Sequence, residues 1–446
     1  MNRPLSRPLF HKQRARSEPY RVLVLLLLLV AGLFVLRAVD QDQIRSPFDP
    51  TPVPTRTGFS WATEAQTQFQ AGNLVMAIQA YQSALELEPN NAEMWAELSR
   101  IQSYRSTQLT TDAEKREQLL AAIESADRAV AADDFNSNAH AARAFALDWF
   151  SNPNLSGADS ERYLTEAEQE AVRAIQLDNQ NALALAYYAE ILNDQMKWTQ
   201  ASQYIAQALE RDSTLMDVHR VNAGIQETLA NYGEAINEYK RATEITPNLT
   251  FLYLNIGVNY RQLQQYERAL EYFAKATSIN EQLGVNDPTP YIAIGKTYSQ
   301  VGEFFIAARN VRKALQLNPT NPDVYGSLGI IYFKSRNYEG AIEALKCAVR
   351  GCDAQETCNV RMGTTCEESE VDPQFTIEGM PLSGSTVVYY YTYGSALAGM
   401  ARPYNDYCTE ARALMNEVRA QFSSEPAVMQ IVEENEAVCN QFATYP

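Results

Sequence analysis

The sequence of 446 residues is poor in the side chains on which most catalytic and metal sites depend. It has three histidines, His11, His140 and His219, and its first 346 residues contain no cysteine. A Gly-rich phosphate loop, the zinc motif H-E-x-x-H, the nucleophile motif G-x-S-x-G and a haem-attachment motif are all missing. These absences predict a protein with no enzymatic activity, cofactor or metal, in which His140 and His219 are packed helix residues.

Positive charge is also scarce, because 37 basic residues face 54 acidic ones and the net charge is −17 at pH 7. An acidic protein repels phosphate backbones, so the sequence argues against a nucleic-acid partner. The exception is residues 1–21, where six basic side chains face Glu18 alone and the local charge is +5.

One long apolar run follows this basic leader. Residues 22–39 contain a single charged residue, Arg37, and as a helix they would measure about 27 Å, close to the ~30 Å of a bilayer core. The positive-inside rule then keeps residues 1–21 in the cytoplasm. We therefore expect a single-pass signal-anchor helix in the cell membrane, with the bulk of the chain periplasmic or extracellular. A cleaved signal peptide and a buried core helix are the alternatives.

Residues 40–57 separate this segment from the rest of the chain. Four prolines, Pro47, Pro50, Pro52 and Pro54, fall within eight residues. Proline fixes φ and removes a backbone donor, so this stretch is predicted to be an extended linker.

A pair of alanines seven residues apart then recurs eight times. The pairs are Ala77/Ala84, Ala122/Ala129, Ala167/Ala174, Ala201/Ala208, Ala235/Ala242, Ala269/Ala276, Ala307/Ala314 and Ala341/Ala348. Large residues such as Phe273, Val311 and Leu345 follow the first alanine by four positions. Alternating small and large residues let helix axes approach closely while the large side chains fill the gaps beside them.

This pattern resembles the tetratricopeptide repeat (TPR) family, and the resemblance covers most of residues 58–353. It implies an all-α fold: a right-handed α-solenoid of about eight to nine TPR-like helix pairs, preceded by a single N-terminal transmembrane helix. Stacking would supply the core, because no pair buries its apolar face alone. The second and third copies carry about ten extra residues, around Thr107–Glu117 and Asn152–Tyr163. These inserts either line a binding face, the second as a loop, or merely lengthen helices and loops.

The resemblance also implies a concave groove lined by the first helix of each unit. Polar side chains at its inward positions could bind a partner's backbone or carboxylates. These candidate residues are Glu190, Asn193, Asp194, Arg220, Glu227, Asn255, Arg261, Gln262, Lys296 and Gln300. The alternative is that they form an ordinary solvated face. The full set of Lys and Asn residues with which part of the family holds a C-terminal carboxylate is not found.

All six cysteines lie near the C-terminus, at Cys347, Cys352, Cys358, Cys366, Cys408 and Cys439. An even, clustered count outside the cytoplasm predicts disulfides, and the spacing fits structural zinc poorly. We expect Cys408 to pair with Cys439 and the other four to pair among themselves, with free thiols as the alternative. Residues 354–385 are predicted to be an irregular, cysteine-containing insertion without a helix, with a short strand within 375–378.

Residues 386–446 are expected to form a degenerate further unit and a capping helix. The segment 386–401 is predicted to be a helix with Ser385 as its N-cap, although a strand through 387–393 is the alternative. Two further helices are predicted at 409–422 and 426–442.

The sequence thus predicts a membrane-tethered scaffold that binds protein or peptide partners in its concave groove. The alternative is a structural subunit of an oligomeric envelope or surface assembly. Such a homo-oligomer would pack through the solenoid ends or the tyrosine-rich segment 389–393.

Overall fold

Helices dominate the chain, which divides into two units, Met1–Arg56 and Thr57–Pro446. The computed structural model describes residues 18–40, 56–402 and 404–442. Most of the basic leader and of the proline-rich linker therefore lies outside the described residues.

The described part of the first unit is one apolar helix, α1 (Pro19–Asp40), which begins three residues before the predicted segment. It has 22 residues, about 33 Å at 1.5 Å per residue, and its leucine and valine side chains from Val22 to Leu36 are exposed. Residues Pro19–Ala38 are long and apolar enough to cross a membrane, as a signal sequence near an N-terminus also is.

The second unit contains eight consecutive helix pairs. They are α2 (Gly58–Gln70) with α3 (Leu74–Leu87), α4 (Ala92–Arg105) with α5 (Asp112–Ala132), α6 (Ser137–Phe150) with α8 (Ser160–Leu177), α9 (Ala182–Asp194) with α10 (Trp198–Arg211), α11 (Met216–Thr228) with α12 (Tyr232–Ile245), α13 (Thr250–Gln262) with α14 (Tyr266–Leu283), α15 (Thr289–Gln300) with α16 (Phe304–Leu317), and α17 (Pro322–Lys334) with α18 (Tyr338–Val349). A four-residue helix, α7 (Pro153–Ser156), lies between α6 and α8. The expected all-α solenoid of helix pairs is confirmed.

The repeated alanines all lie in the second helix of a pair, and all sixteen have no exposed surface. Glycines on three first helices complement them. A Cβ atom on Gly257 would overlap the ring of Phe273, and Cβ atoms on Gly295 and Gly329 would overlap Val311 and Leu345. The spacing of small and large residues is therefore the spacing at which the two helices of a pair make contact.

A second regularity fixes the turn that precedes each of five first helices. A side chain near the helix start donates a hydrogen bond to the carbonyl six residues earlier. The pairs are Trp95 to Pro89, His140 to Asp134, His219 to Ser213, Tyr253 to Pro247 and Tyr325 to Pro319, at 2.6–3.0 Å. Both histidines thus occupy a position that Trp and Tyr fill elsewhere, which agrees with the predicted packing role.

The two inserts are more helical than predicted. The first forms a 3₁₀ turn, Ser106–Gln108, and the start of α5, which has 21 residues and a capping box between Thr111 and Glu114. The second, predicted to be a loop, contains α7 and a 3₁₀ turn, Gly157–Asp159.

The prediction that residues 354–385 lack a helix is wrong. Helix α19 (Ala354–Met362) forms there, and a capping box between Asp353 and Glu356 begins it. Strand β1 (Gly351–Cys352) pairs antiparallel with β2 (Ile377–Glu378), as the predicted strand required. The cysteines form three disulfides, which are Cys347–Cys352, Cys358–Cys366 and the expected Cys408–Cys439.

The C-terminal segment is a ninth pair, α20 (Val387–Met400) with α21 (Tyr407–Phe422), followed by α22 (Pro426–Phe442). The strand alternative for 387–393 is wrong. The predicted N-cap is also wrong, because Thr386 occupies that position and Ser385 donates a hydrogen bond to Asp112 instead. Tyr389, Tyr390 and Tyr393 are buried in the core, so the tyrosine-rich segment is not the exposed packing surface proposed from the sequence.

Candidate functional site

The inner surface of the second to sixth helix pairs is filled by the protein's own side chains. The ring of Tyr104, at the end of α4, stacks on Phe251 of α13 with 5.2 Å between centroids. Arg100 of the same helix forms a buried ion pair of 3.0 Å with Asp217 of α11. The second helix pair therefore contacts the fifth and sixth pairs directly, whereas the resemblance implied an open groove between them.

Asp217 is the centre of this contact. It accepts hydrogen bonds from the hydroxyls of Tyr104 and Tyr187, the latter at 2.7 Å. Burial favours the neutral acid, but the guanidinium groups of Arg100 and Arg220 and the two hydroxyls favour the carboxylate and hold the pKa of Asp217 below its usual value. Asp217 is therefore an ionised, fully partnered carboxylate inside the fold.

Arg220 and Glu190, two of the predicted groove residues, bind each other. Both terminal nitrogens of Arg220 donate to the Glu190 carboxylate at 2.6 Å. Its Nε donates to the Tyr104 hydroxyl at 3.0 Å, and its guanidinium lies 5.2–5.5 Å from the ring centroids of Tyr104, Phe145 and Trp149. These contacts occupy the N–H donors of Arg220, which the resemblance implied would be available to a partner.

A cavity of about 420 Å³ adjoins this contact. Its walls include six of the ten predicted residues, namely Glu190, Asn193, Asp194, Arg220, Glu227 and Asn255. Loss of water contact and the charge of Glu190 raise the pKa of Asp194 to about 6. Desolvation also raises the pKa of Glu227, which accepts hydrogen bonds from Tyr239 and Asn259.

Asp148 on α6 is a buried carboxylate that the sequence analysis did not single out. Neither of its carboxylate oxygens has a hydrogen bond to any residue that the structure describes, and only 2% of the residue is exposed. Desolvation, with Asp194 and Glu190 nearby, raises its pKa well above the usual value. It lies in the interior of the third helix pair.

A larger cavity, of about 1190 Å³, lies between the late units and the start of α5. Arg261, Lys296 and Gln300 are the predicted residues that line it. Gln262 is exposed and lines neither of the two cavities. Nine of the ten candidate residues thus divide between two separate spaces.

Two hydrogen bonds bring the first insert to the wall of this larger cavity. The Asn321 amide donates to Thr110, 211 residues away, and Ser385 donates to Asp112 at 2.5 Å across 273 residues. Lys115, Lys334, Asp323 and Tyr389 also line the space. The sequence analysis did not assign these residues to the site. The insert itself was the only available signal, because inserts in solenoids often line a binding face.

Within the described ranges, no group of three or more His, Cys, Asp or Glu side chains is placed to hold a metal ion.

Comparisons with known proteins identify the repeat. Two tetratricopeptide repeat family models match residues 252–283 and 311–343. BBSome complex member BBS4 from Bos taurus is 30% identical over 116 residues, which are 25% of this chain and 21% of that protein. Anaphase-promoting complex subunit CDC16 from Saccharomyces cerevisiae is 29% identical over 107 residues, 23% of this chain and 13% of that protein. The chain therefore spans about a fifth or less of these relatives.

A solved tetratricopeptide repeat protein from Parabacteroides merdae is also similar. It has 16% sequence identity and a TM-score of 0.36, over 61% of this chain and 98% of that one. The two family-model matches fall within units that show the buried alanine pairs and the close glycine contacts described above. These two segments of the chain, residues 252–283 and 311–343, are therefore tetratricopeptide repeats.

Proposed function

We propose that the protein is a membrane-tethered scaffold that binds a protein or peptide partner outside the cytoplasm. The observation that carries the placement is the combination of an exposed apolar helix, α1, with a later unit whose six cysteines are all paired. Disulfides persist in oxidising compartments, and the basic residues before α1 favour a cytoplasmic N-terminus.

The binding site that we propose is the larger cavity. Arg100, Tyr104 and Arg220 occupy the inner surface of the second to sixth helix pairs. Their contacts there are with other side chains of the same protein. The larger cavity instead presents Arg261, Lys296 and Gln300 towards an open space of about 1190 Å³. This volume exceeds the roughly 300–1,000 Å³ of small-ligand pockets, so the cavity can accommodate a peptide segment.

Topology can be tested with epitope tags at the two ends of the full chain. The cell membrane is kept intact, and any barrier outside it is permeabilised so that protease reaches the outer face of the membrane. We then expect protease to remove a C-terminal tag and to spare an N-terminal one. Equal protection of both tags would contradict the proposed orientation.

Partner binding can be tested by photo-crosslinking from inside the cavity. A photoreactive residue at Gln300 should crosslink a discrete partner in native membranes, because this side chain lines the larger cavity. The matched control is Gln282, an exposed residue on α14 that lines neither of the two cavities. Identical products from both positions, or none from Gln300, would argue against this site.

A further inference from the structure

We propose that the helix pairs form a clamp, which is closed around the larger cavity in this structure. The first six pairs, residues 58–283, are the first body, and the helices of residues 289–442 are the second body. A polar latch, formed by Asn321 with Thr110 and by Ser385 with Asp112, holds the two bodies together. This inference rests on the proposed function, because opening the latch would admit the partner segment to its site.

The buried apolar side chains of the helix pairs form two large clusters that divide at α15. The first cluster runs from Ala65 to Ile294, and the second runs from Ile292 to Cys439. Tyr298, also on α15, packs against both of them. Burial of apolar surface is the main force that resists separation of packed elements, so the two bodies separate most easily where the clusters divide.

The chain passes from the first body to the second through residues 284–288, which connect α14 to α15. Gly284 has a φ of 65°, a left-handed conformation that glycine adopts without strain. It is exposed, and nothing lies within 4 Å of the position that a Cβ atom would take there. Hinges are short connecting segments of this kind, in which a few residues absorb the change in φ and ψ.

The latch lies where the first insert meets the late helices. The Asn321 amide at the start of α17 donates to the Thr110 hydroxyl, and the Ser385 hydroxyl donates to the Asp112 carboxylate at 2.5 Å. Both hydrogen bonds join side chains more than two hundred residues apart in the chain. Each of them is replaced by hydrogen bonds to water when the contact opens, so its net contribution to closure is small.

Neither an apolar cluster nor an ion pair reinforces the latch among the residues that the structure describes. No cluster of buried apolar side chains has members in both residues 106–163 and residues 304–446. No ion pair between described residues joins these two ranges either. The second insert adds a further polar contact, because the Asn154 side chain lies beside Gly384. The latch can therefore open without exposing a hydrophobic core.

The larger cavity lies between the two bodies. Residues 110–115 and Asn154, from the two inserts, form the part of its wall that belongs to the first body together with Arg261. The remaining wall belongs to the second body and runs from Lys296 to Thr392. Opening of the latch would move the inserts away from the late helices and widen the entrance to this space, as hinge closure does in other proteins that enclose a ligand.

The clamp can be tested by measuring distances between spin labels on the full chain in detergent. All six cysteines are in disulfides, so introduced thiols take the labels selectively. Labels at Glu117→Cys and Glu343→Cys, both at exposed positions, report the distance between the two bodies. Labels at Glu117→Cys with Glu210→Cys report on the first body alone, and labels at Glu343→Cys with Gln421→Cys report on the second.

The latch variant combines Thr110→Val with Ser385→Ala, which removes both hydrogen bonds and keeps the Asn321 oxygen that caps α17. We expect a longer distance between the bodies to become about fivefold or more populated, because two hydrogen bonds are lost. The distances within each body should not change. The control combines Thr165→Val with Ser202→Ala, whose hydroxyls bond only within their own helices, and it should leave all three distances as they are.

An unchanged distance between the bodies in the latch variant would overturn the inference. A similar lengthening within either body would also overturn it, because the variant would then loosen the fold without moving one body against the other.

Photo-crosslinking from Gln300 separates the clamp from the proposed function. Partner crosslinking should rise about twofold or more in the latch variant, because the open form is more populated. If the bodies separate while crosslinking stays as in the wild type, the latch does not control entry and the inference is overturned. If the bodies separate and no partner crosslinks in either form, the proposed binding site is rejected and the clamp movement is supported.

Discussion

Asp148 shows how much a single residue in this interior can cost. A buried carboxylate without a hydrogen-bond donor is destabilising when ionised, so it takes up a proton instead. Its pKa is raised well above the usual value in the folded protein. Below the pKa of the unfolded state, near pH 4, the acid is neutral in both states and does not lower the free energy of unfolding. As the pH rises through the raised pKa of the folded state, that free energy decreases.

We therefore expect Asp148→Asn to stabilise the protein at pH 7.5, by about 1–3 kcal/mol, because the amide needs no proton. The gain should shrink towards zero at pH 4, where the wild-type acid is neutral in both states. Urea unfolding at the two pH values measures the difference. Glu86→Gln on the exposed surface is the control, and it should show no such pH dependence. A loss of stability at pH 7.5 would mean that the Asp148 side chain makes a stabilising interaction that the amide cannot replace.

At the scale of single elements, the contact between the helices of one pair depends on a residue with no side chain. A Cβ atom at Gly257 would overlap the ring of Phe273, which is fully buried and cannot move aside without disturbing its neighbours. Overpacking of a dense core forces strained rotamers or a shift of the backbone.

Gly257→Ala should therefore destabilise the protein by about 1–3 kcal/mol, despite the better helix propensity of alanine. Gly233→Ala is the matched control, because nothing lies within 4 Å of a Cβ atom at that helical position. It should be neutral or stabilise by up to about 1 kcal/mol. Denaturant midpoints of the two variants decide the matter, and equal effects would show that the pair is looser than described.

The last helices depend on a covalent link. Cys408 and Cys439 join the start of α21 to the late part of α22 across 31 residues. Closing a loop of this length contributes about 3–4 kcal/mol in the chain-entropy model.

Replacing both cysteines by serine should raise hydrogen exchange throughout α22 and lower the melting temperature. The double variant of Cys358 and Cys366 is the comparison, because it opens a loop of only eight residues and should leave α22 protected. Unchanged exchange in α22 after loss of the 408–439 bond would indicate that packing alone holds this helix.

The elements differ in how far the sequence predicts them. The alanine spacing predicts the helix pairs because residues seven apart lie on one face of a helix, and small residues on that face let a second helix approach closely. Helix α19 was missed because its nine residues are flanked by cysteines and turns, although Asp353 and Glu356 form the capping-box pattern. Ser385 was chosen as an N-cap on local grounds, but its hydroxyl bonds Asp112, which is distant in sequence.

At the scale of the whole molecule, the decisive contacts join units that are far apart in the chain. Arg100 and Asp217 form a buried ion pair across 117 residues, and Tyr104 reaches the same carboxylate. Removing one partner of such a pair leaves the other charge buried and costs about 3–5 kcal/mol.

We expect Asp217→Asn to destabilise the protein by about that amount and to raise hydrogen exchange in α4 and α11 together. Glu124→Gln, which removes an exposed ion pair with Arg128, should have little effect. Increased hydrogen exchange confined to α11 would show that the second and fifth helix pairs are not coupled through Asp217.

These distant contacts also explain why the candidate site was predicted only in part. The family resemblance implies that Arg261, Lys296 and Gln300 lie on inward helix faces, and they do line a cavity. Periodicity within neighbouring units carries no information on which units meet across the inside. It therefore did not show that Arg220 and Glu190 would bind each other, or that Lys115 would join the wall of the larger cavity.

The same closure has a consequence for the order in which the protein matures. A simple repeat array can fold from its first unit as the chain is synthesised, since each unit needs only its neighbours. Here the contacts of Arg100 and Tyr104 form only after Asp217 and Phe251 have been synthesised, more than a hundred residues later in the chain. During synthesis, the early repeats would stay incompletely packed until roughly half of the protein had emerged, and in that interval they would be open to chaperones and proteases.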